Sequence, residues 1–255
     1  GAMIDFGSFL QRPSTILLGA AAQFGIFGTM LLVYLIGDGG FNILHFTLKD
    51  AASIGIIGAA DGPTSIYVST KFETTYRAAI VVAAYSYMAL VPIIQPPVMK
   101  LCTTKAERMI PMSMEAGAVS RRTRVLFPIV VTLVTALIVP MATPLIGSLM
   151  FGNLLRETGV TKGLSSSAQN EMTNIITILL GLAVGGMMVG DQFLRPETIL
   201  VYVMGVMAFA MDTAGGVFMG KVMCRLSGRK INPLIGAAGI SAFPMSSRVV
   251  QKVGL

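Results

Sequence analysis

Apolar stretches as long as a membrane-spanning helix constrain this chain more than any other feature of its sequence. A run of about 20 apolar residues crosses a bilayer as a helix, and backbone in lipid must satisfy its own hydrogen bonds. Charged residues make up only 12% of the chain, about half the share found in soluble domains. The sequence therefore predicts an all-α, polytopic membrane helix bundle. The apolar stretches cover 13–37, 50–70, 76–99, 125–150, 172–190 and 197–220, with a shorter one at 231–250.

Basic residues in the polar loops set the expected orientation of these helices. The formal net charge is +7, and lysine and arginine are enriched in cytoplasmic loops. We therefore assign the polar segment 100–124 to the cytoplasm and expect no binding of nucleic acid. A second basic group consists of Lys221, Arg225, Arg229 and Lys230.

Counting full spans puts these two basic segments on opposite sides of the membrane, which the positive-inside rule disfavours. Either one stretch is re-entrant or 125–157 crosses the membrane twice. Four glycines in 172–190 favour that stretch as the irregular element, because glycine lowers helix propensity.

An internal repeat links the second apolar stretch to the last one. A shift of 181 residues aligns Ile54, Gly55, Gly58, Pro63, Ser65, Val68 and Lys71 with Ile235, Gly236, Gly239, Pro244, Ser246, Val249 and Lys252. Paired, interrupted apolar segments are typical of inverted repeats that place an ion or substrate site at the membrane midplane. We expect inverted repeats with broken or re-entrant helices. The expected domains are a first repeat at 1–99, a cytoplasmic loop at 100–124, connecting spans at 125–170 and a second repeat at 171–255.

The segment 56–65, IIGAADGPTS, combines an acid with a helix break. Pro63 donates no backbone hydrogen bond and Gly62 relaxes the chain, so the helix breaks there and frees carbonyl groups. An ionised Asp61 at membrane depth costs about 2.5–3.5 kcal/mol on insertion scales, so it needs a cation or a proton. The pattern favours a site for an alkali cation or a proton. The alternative is a carboxylate that only caps the second half-helix.

The other broken stretch, 231–252, carries oxygen donors and one cation. Asn232 and Ser241 supply side-chain oxygens, and Gly236 allows another backbone to approach closely. Arg248 follows the break. It is either a helix end whose guanidinium reaches the interface or a clamp for an anion, and the sequence leaves both interpretations open.

Two more polar residues lie within apolar helices. Tyr87 is either a proton relay or a packed core tyrosine. Asp212, in the segment FAMDTAGG, is either a second acid or a cap for a following half-helix.

Three motifs make the chain resemble the β subunit of the sodium-pumping, biotin-dependent decarboxylases, namely GAAAQFGIF, GAADGPTSIYV and NPLIGAAGISAFPMSSRVVQK. The resemblance extends from Gly1 to about Val253. Members of this family act on oxaloacetate, methylmalonyl-CoA, glutaconyl-CoA or malonate derivatives. The family has further N-terminal spans, and this chain opens at Gly1 without a signal peptide, so we expect it to be part of a longer protein.

The resemblance implies that different subunits carry out different steps of the reaction. A biotin-carrying carboxyltransferase α subunit delivers carboxybiotin to the cytoplasmic side. The β subunit decarboxylates it, consumes a proton drawn from the far side and exports sodium ions. The resemblance also implies a small membrane γ subunit, and we expect an oligomer in the bilayer of a bacterial or archaeal inner membrane.

The resemblance also implies roles for individual residues, with Asp61, Tyr87 and Arg248 as the catalytic ones. Residue by residue, the family pattern assigns sodium binding to Asp61, Asn232, Gly236 and Ser241, proton delivery to Tyr87, and carboxybiotin or bicarbonate binding to Arg248.

A competing hypothesis is a sodium- or proton-coupled secondary transporter that moves a small anion past Arg248 without catalysis.

Overall fold

The computed structural model describes residues 1–4, 6–11, 13–41, 43–111, 119–188, 190–240 and 243–254. These residues form helices and no strand, which confirms the all-α fold. The α-helices are α1 (Gly7–Gln11), α2 (Ile16–Ala22), α3 (Phe24–Ile36), α4 (Leu48–Gly55), α5 (Gly62–Lys71), α6 (Arg77–Cys102), α7 (Lys105–Arg108), α8 (Arg121–Ile138), α9 (Thr143–Thr158), α10 (Lys162–Gln169), α11 (Glu171–Gly186), α12 (Gly190–Phe193), α13 (Pro196–Leu226) and α14 (Phe243–Gly254).

Three helical regions are long and apolar enough to cross a membrane: Ile16–Ile36, Arg77–Cys102 and Pro196–Leu226. They correspond to the first, third and sixth apolar stretches and have the length and composition that a span requires. The chain divides into two compact units. Unit 1 comprises Gly1–Pro13 and Met114–Gly186, and unit 2 comprises Ser14–Ser113 and Met187–Leu255.

In unit 1 the stretch 125–157 forms two helices instead of one. Val139 leaves the helical conformation, and a short 3-10 turn at Pro140–Ala142 connects α8 to α9. Arg124 at the start of α8 forms an ion pair with Glu157 at the end of α9, with 3.5 Å between Nε and Oε2. The two helices are therefore antiparallel, as the interpretation of a double crossing requires.

The expectation that 172–190 is irregular is wrong for most of that stretch, because α11 runs unbroken through Gly186. In the described part of the chain, no atom outside the helix approaches the Cβ positions of Gly181, Gly185 or Gly186 within 4 Å. A glycine lowers helix propensity by only about 1 kcal/mol. In lipid the helix is retained because an opened backbone has no water to bond.

Unit 2 is built around the parallel helices α6 and α13. Tyr87 bonds to the carbonyl of Tyr202, and eight residues further on Gln95 lies 3.5 Å from the hydroxyl of Thr213. Beyond the end of α6, Glu107 pairs with Lys221 of α13, so the contacts continue to advance in the same direction along both segments. Residues 100–111 and the second basic group, Lys221, Arg225, Arg229 and Lys230, therefore lie at one end of unit 2, which we call the basic end.

Helix α6 continues through the Gln95-Pro96-Pro97 run and stops at Cys102, three residues beyond the apolar stretch 76–99. It contains three prolines, Pro92 among them. Membrane helices tolerate internal proline where neighbouring groups satisfy the freed backbone. At 26 residues the helix is about 39 Å long at about 1.5 Å per residue.

The first apolar stretch contains a junction at Gln23, which ends α2 and begins α3. Gly25, near the start of α3, packs against Asp212. Val33, two turns further along α3, shares a buried cluster with Val201 and Met204. Because the contacts advance along α3 as they retreat along α13, these two helices are antiparallel.

Two re-entrant hairpins enter unit 2 from opposite ends. The first hairpin is α4, a 3-10 segment at Ile56–Ala59 and α5, and a hydrogen bond from the Thr74 hydroxyl to Asp50 ties its two ends together. The second hairpin is a 3-10 segment at Pro233–Gly239 followed by α14. Its end at Gly254 lies beside Leu234 and the Arg108 carbonyl, at the basic end.

Candidate functional site

The turn of the first hairpin is a break in the helix with the half-buried Asp61 at its centre. Ala60 adopts the left-handed conformation, with φ of 49°, and Asp61 is extended. The Asp61 carboxylate accepts the Thr64 hydroxyl at 2.6 Å and the Thr64 backbone N–H at 3.4 Å. The predicted break is confirmed. Asp61 caps α5, whose N-terminal dipole favours its negative charge.

The turns of the two hairpins share one buried cluster. Ala60, next to Asp61, belongs to the same group as Ala237 and Ile240 of the second hairpin. Val91 of α6 and Phe209 of α13 complete the contact between them. The hairpins therefore converge inside unit 2 after entering from opposite ends.

The second hairpin packs on α13 through bare backbone. A Cβ on Gly236 would overlap the carbonyl oxygen of Gly216, and a Cβ on Gly220 would overlap that of Pro233. From the other side, Gln95 donates to the Ala237 carbonyl at 3.0 Å. The expected close approach at Gly236 is present, and α13 is the backbone that approaches.

Asn232 lies where the second hairpin leaves the basic end. Its amide donates to the carbonyls of Arg108 and Ile110, each at 2.9 Å, and its oxygen accepts the Leu234 N–H at 3.0 Å. The seven residues of the 3-10 segment extend about 14 Å at about 2 Å each. Asn232 is therefore separated from the hairpin turn by most of that arm.

The two tyrosines of α6 differ in what they contact. Tyr87 is buried and donates its hydroxyl to the Tyr202 carbonyl at 2.6 Å. Tyr85 is the tyrosine beside the break, since its ring occupies the space where Gly62, the residue after Asp61, lacks a side chain. Sequence reasoning missed this proximity.

Arg248 is exposed on α14, while its neighbour Val249 is buried in the cluster shared by the two hairpins. Because α14 ends beside Arg108, Arg248 lies between the break and the basic end. Ser241, the remaining residue that the family pattern assigns to sodium, lies outside the described residues.

The basic end has one acid that is held ionised. The backbone N–H of Thr104 and the ammonium of Lys221 keep the pKa of Glu107 below its ordinary value. The Lys221 Nζ lies 3.2 Å from the carboxylate. The ion pair joins the loop after α6 to the last turns of α13.

Sequence comparison assigns the chain to a family. The model of the Na+-transporting oxaloacetate decarboxylase beta subunit matches residues 1–255. The chain belongs to this family. The oxaloacetate decarboxylase beta chain of Klebsiella pneumoniae is 56% identical over 255 residues, which cover all of this chain and 58% of that protein.

Relatives within the family differ in the acid that their names give. The methylmalonyl-CoA decarboxylase beta subunits of Veillonella parvula and Propionigenium modestum are 52% and 51% identical over 254 residues. The alignments cover all of this chain but only 66% and 62% of those proteins. The chain thus spans about three fifths of the curated relatives that it matches.

Proposed function

We propose that this chain is the ion-translocating core of the membrane subunit of a sodium-pumping, biotin-dependent decarboxylase. One observation carries the proposal: a carboxylate at the turn of a re-entrant hairpin, beside the turn of a second hairpin that enters from the opposite end. Such paired breaks hold the ion sites of inverted-repeat transporters. Family membership supplies the coupled reaction.

Sodium binds at the meeting point of the hairpins in this proposal. Asp61 supplies the negative charge, and the backbone near Gly236 supplies neutral oxygens, with Ser241 completing the set. The Asn232 oxygen keeps a second lone pair for an ion that passes the basic end. Export against 100 mV costs about 2.3 kcal/mol per charge, which the loss of CO2 must supply.

Decarboxylation takes place at the basic end, which is the cytoplasmic end by the positive-inside rule. A biotin-carrying α subunit presents carboxybiotin to the exposed Arg248, whose planar fork matches a carboxylate in two-point fashion. Loss of CO2 breaks the N–C bond, and the biotin nitrogen takes up a proton that travels past Tyr87 and Asp61. A γ subunit and an oligomeric membrane complex complete the assembly.

Protonation couples the two processes. A proton taken up by Asp61 removes the charge that holds sodium, so ion release and protonation become one event. Tyr87 is the relay that the family pattern names, and Tyr85 is the tyrosine beside the carboxylate in this structure. The competing hypothesis of an anion transporter predicts no turnover of carboxybiotin.

The test is decarboxylation of free carboxybiotin by the full-length complex, for wild type and for Arg248→Lys. Hydrogen bonds to charged groups contribute about 1.5–3 kcal/mol, so losing the fork is expected to lower turnover by at least about tenfold. Arg225→Lys, another exposed arginine at the basic end, is the matched control and leaves turnover unchanged. Sodium still protects both variants from heat.

Two results would contradict these assignments. A wild-type complex that transports sodium without turning over carboxybiotin supports the anion transporter. An Arg248→Lys complex that turns over carboxybiotin normally but no longer responds to sodium places Arg248 in the ion path.

A further inference from the structure

A second acid lies deep in unit 2, away from the break at Asp61. Asp212 is only 1% exposed, in the middle of the unbroken helix α13. Its Oδ1 accepts the backbone N–H of Ile26 at 3.0 Å. It therefore caps α3 across 186 residues of sequence, at the junction where Gln23 provides no side-chain cap of its own.

The other carboxylate oxygen has a different environment. Asp212 Oδ2 is buried and has no hydrogen-bond partner among the described residues. It points at Gly58, in the 3-10 segment of the first hairpin, where a Cβ would overlap it. The oxygen therefore faces the backbone of the 3-10 segment three residues before Asp61.

Among the residues that the structure describes, no basic side chain balances this acid. The elements that pack against α13 at this level are α2, the first half of α3, and the two 3-10 segments, and none carries a charged or titratable side chain. In α6 the facing residues are Tyr87 and Gln95, and in α13 the nearest cation is Lys221, nine residues away. The first-turn dipole of α3 offsets only about half a charge.

A second unpartnered oxygen lies on the same face of α3. Thr29 follows Gly25 by four residues, and its hydroxyl is fully buried without a partner among the described residues. Residues four apart on a helix share a face. The antiparallel packing of α3 on α13 brings Thr29 toward Ala208, which also borders Gly58.

Neither protonation state satisfies Asp212 by itself. The ionised acid leaves a buried negative charge whose Oδ2 has no partner among the described residues, and the neutral acid leaves an O–H on Oδ2 without an acceptor there. We propose that Asp212, with Thr29 and the backbone at Gly58, forms a second binding position for a small monovalent cation, either sodium or a proton. The position lies in the same hairpin system as Asp61 and is separate from it. The inference rests on the proposed function for the identity of the cargo.

The test compares Asp212→Asn with wild type in the full-length complex. Asparagine keeps an oxygen that accepts the Ile26 N–H and removes the charge. Sodium bound per chain is measured by equilibrium dialysis with radioactive sodium, and the infrared C=O band of protonated carboxyl groups is recorded without sodium. Asp50→Asn is the matched control, since Asp50 is also buried but has a hydroxyl partner on each oxygen and a further N–H partner on Oδ2.

Loss of one sodium ion per chain in Asp212→Asn, but not in Asp50→Asn, supports a sodium position. An unchanged sodium count with loss of the carboxyl band supports a proton position. No change in either measurement overturns the proposal and leaves Asp212 as a helix cap. If Asp212→Asn does not fold, Thr29→Val removes one hydroxyl at nearly constant shape and is expected to weaken the same cation several-fold.

These outcomes are separate from those for Asp61. If Asp61→Asn binds as much sodium as wild type while Asp212→Asn loses an ion, the assignment of Asp61 fails and the second position stands. If only Asp61→Asn loses sodium and the carboxyl band is the same in all proteins, the second position fails and the proposed function stands.

Discussion

Both re-entrant hairpins end in an outgoing α-helix, but their incoming arms differ in structure and in the contacts that hold them in place. Within the described residues α14 covers Phe243–Gly254, which includes the positions that the 181-residue offset aligns with α5, Gly62–Lys71. The incoming arm of the first hairpin is the α-helix α4, closed by a capping box between Thr47 and Asp50. The incoming arm of the second hairpin is a 3-10 segment, and the backbone of its Gly236 touches the backbone of Gly216 in α13.

The first hairpin therefore carries the charge, and the second hairpin is held by packing and neutral hydrogen bonds. The first hairpin carries a carboxylate at its turn and is tied by side chains, so it is suited to bind an ion without losing its shape. The second carries no acid and is held by backbone contact with α13 and by neutral amides from Gln95 and Asn232. Neutral contacts of this kind can be exchanged without exposing a buried charge, which suits a mobile element.

The largest expected effect comes from filling the backbone contact of the second hairpin. Gly236→Ala places a methyl group on the Gly216 carbonyl, and we expect a loss of about 3 kcal/mol or more, at the upper end of overpacking costs. Thermal melting of the purified complex measures it. Gly19→Ala is the control, because the nearest atom to its Cβ is the Gly239 oxygen at 3.8 Å. Equal melting of both variants would contradict the close contact.

A smaller effect is expected from untying the ends of the first hairpin. Thr74→Val removes the hydroxyl that bonds Asp50 and leaves a buried carboxylate oxygen unpaired, at a cost of about 1–3 kcal/mol. Hydrogen exchange is expected to rise in α5 and to stay constant in α14. The exposed Thr70→Val, on α5 itself, is expected to change stability by less than about 0.5 kcal/mol. Faster exchange in both hairpins would mean that they open together.

The smallest effect is expected at the basic end, beside the second hairpin. The pKa of Glu107 is lowered in the folded chain, so its contribution is complete above the ordinary pKa of glutamate and is lost as pH falls through the lowered value. Both side chains of the pair are partly exposed to solvent, so Glu107→Gln is expected to cost below about 1 kcal/mol at neutral pH. Melting curves of wild type and variant are expected to converge in acid. A difference independent of pH would exclude the ion pair as its cause.

The sequence predicted the break at Asp61, the three long spans and the pairing of the two broken stretches. These features follow from local sequence patterns, because proline and glycine break a helix where they stand and an acid is conspicuous within an apolar segment. The re-entrant path was harder to predict, although an arm of eight residues, such as α4, is too short to cross a bilayer. The proposed repeat boundaries, such as 171–255, stay a prediction.

Contacts between distant segments could not be predicted from one sequence. Tyr85 and Tyr87 are two residues apart and so point about 200° apart on a helix, and only the fold decides which one meets Gly62. Asp212 was expected either to cap a following half-helix or to act as a second acid. It caps α3 and not a following half-helix, because α13 continues unbroken and brings the carboxylate to a helix start 186 residues earlier.

The central claim is that Asp61 binds sodium where the hairpins meet, and the melting temperature of the full-length complex tests it most directly. A ligand that binds only the folded state stabilises it by about 2.7 kcal/mol at a hundredfold excess over Kd. We expect sodium to raise the melting temperature of wild type, potassium at equal ionic strength to have no such effect, and Asp61→Asn to fold but to lose most of the sodium response. Equal stabilisation by both salts, or an undiminished sodium response in Asp61→Asn, would contradict the account.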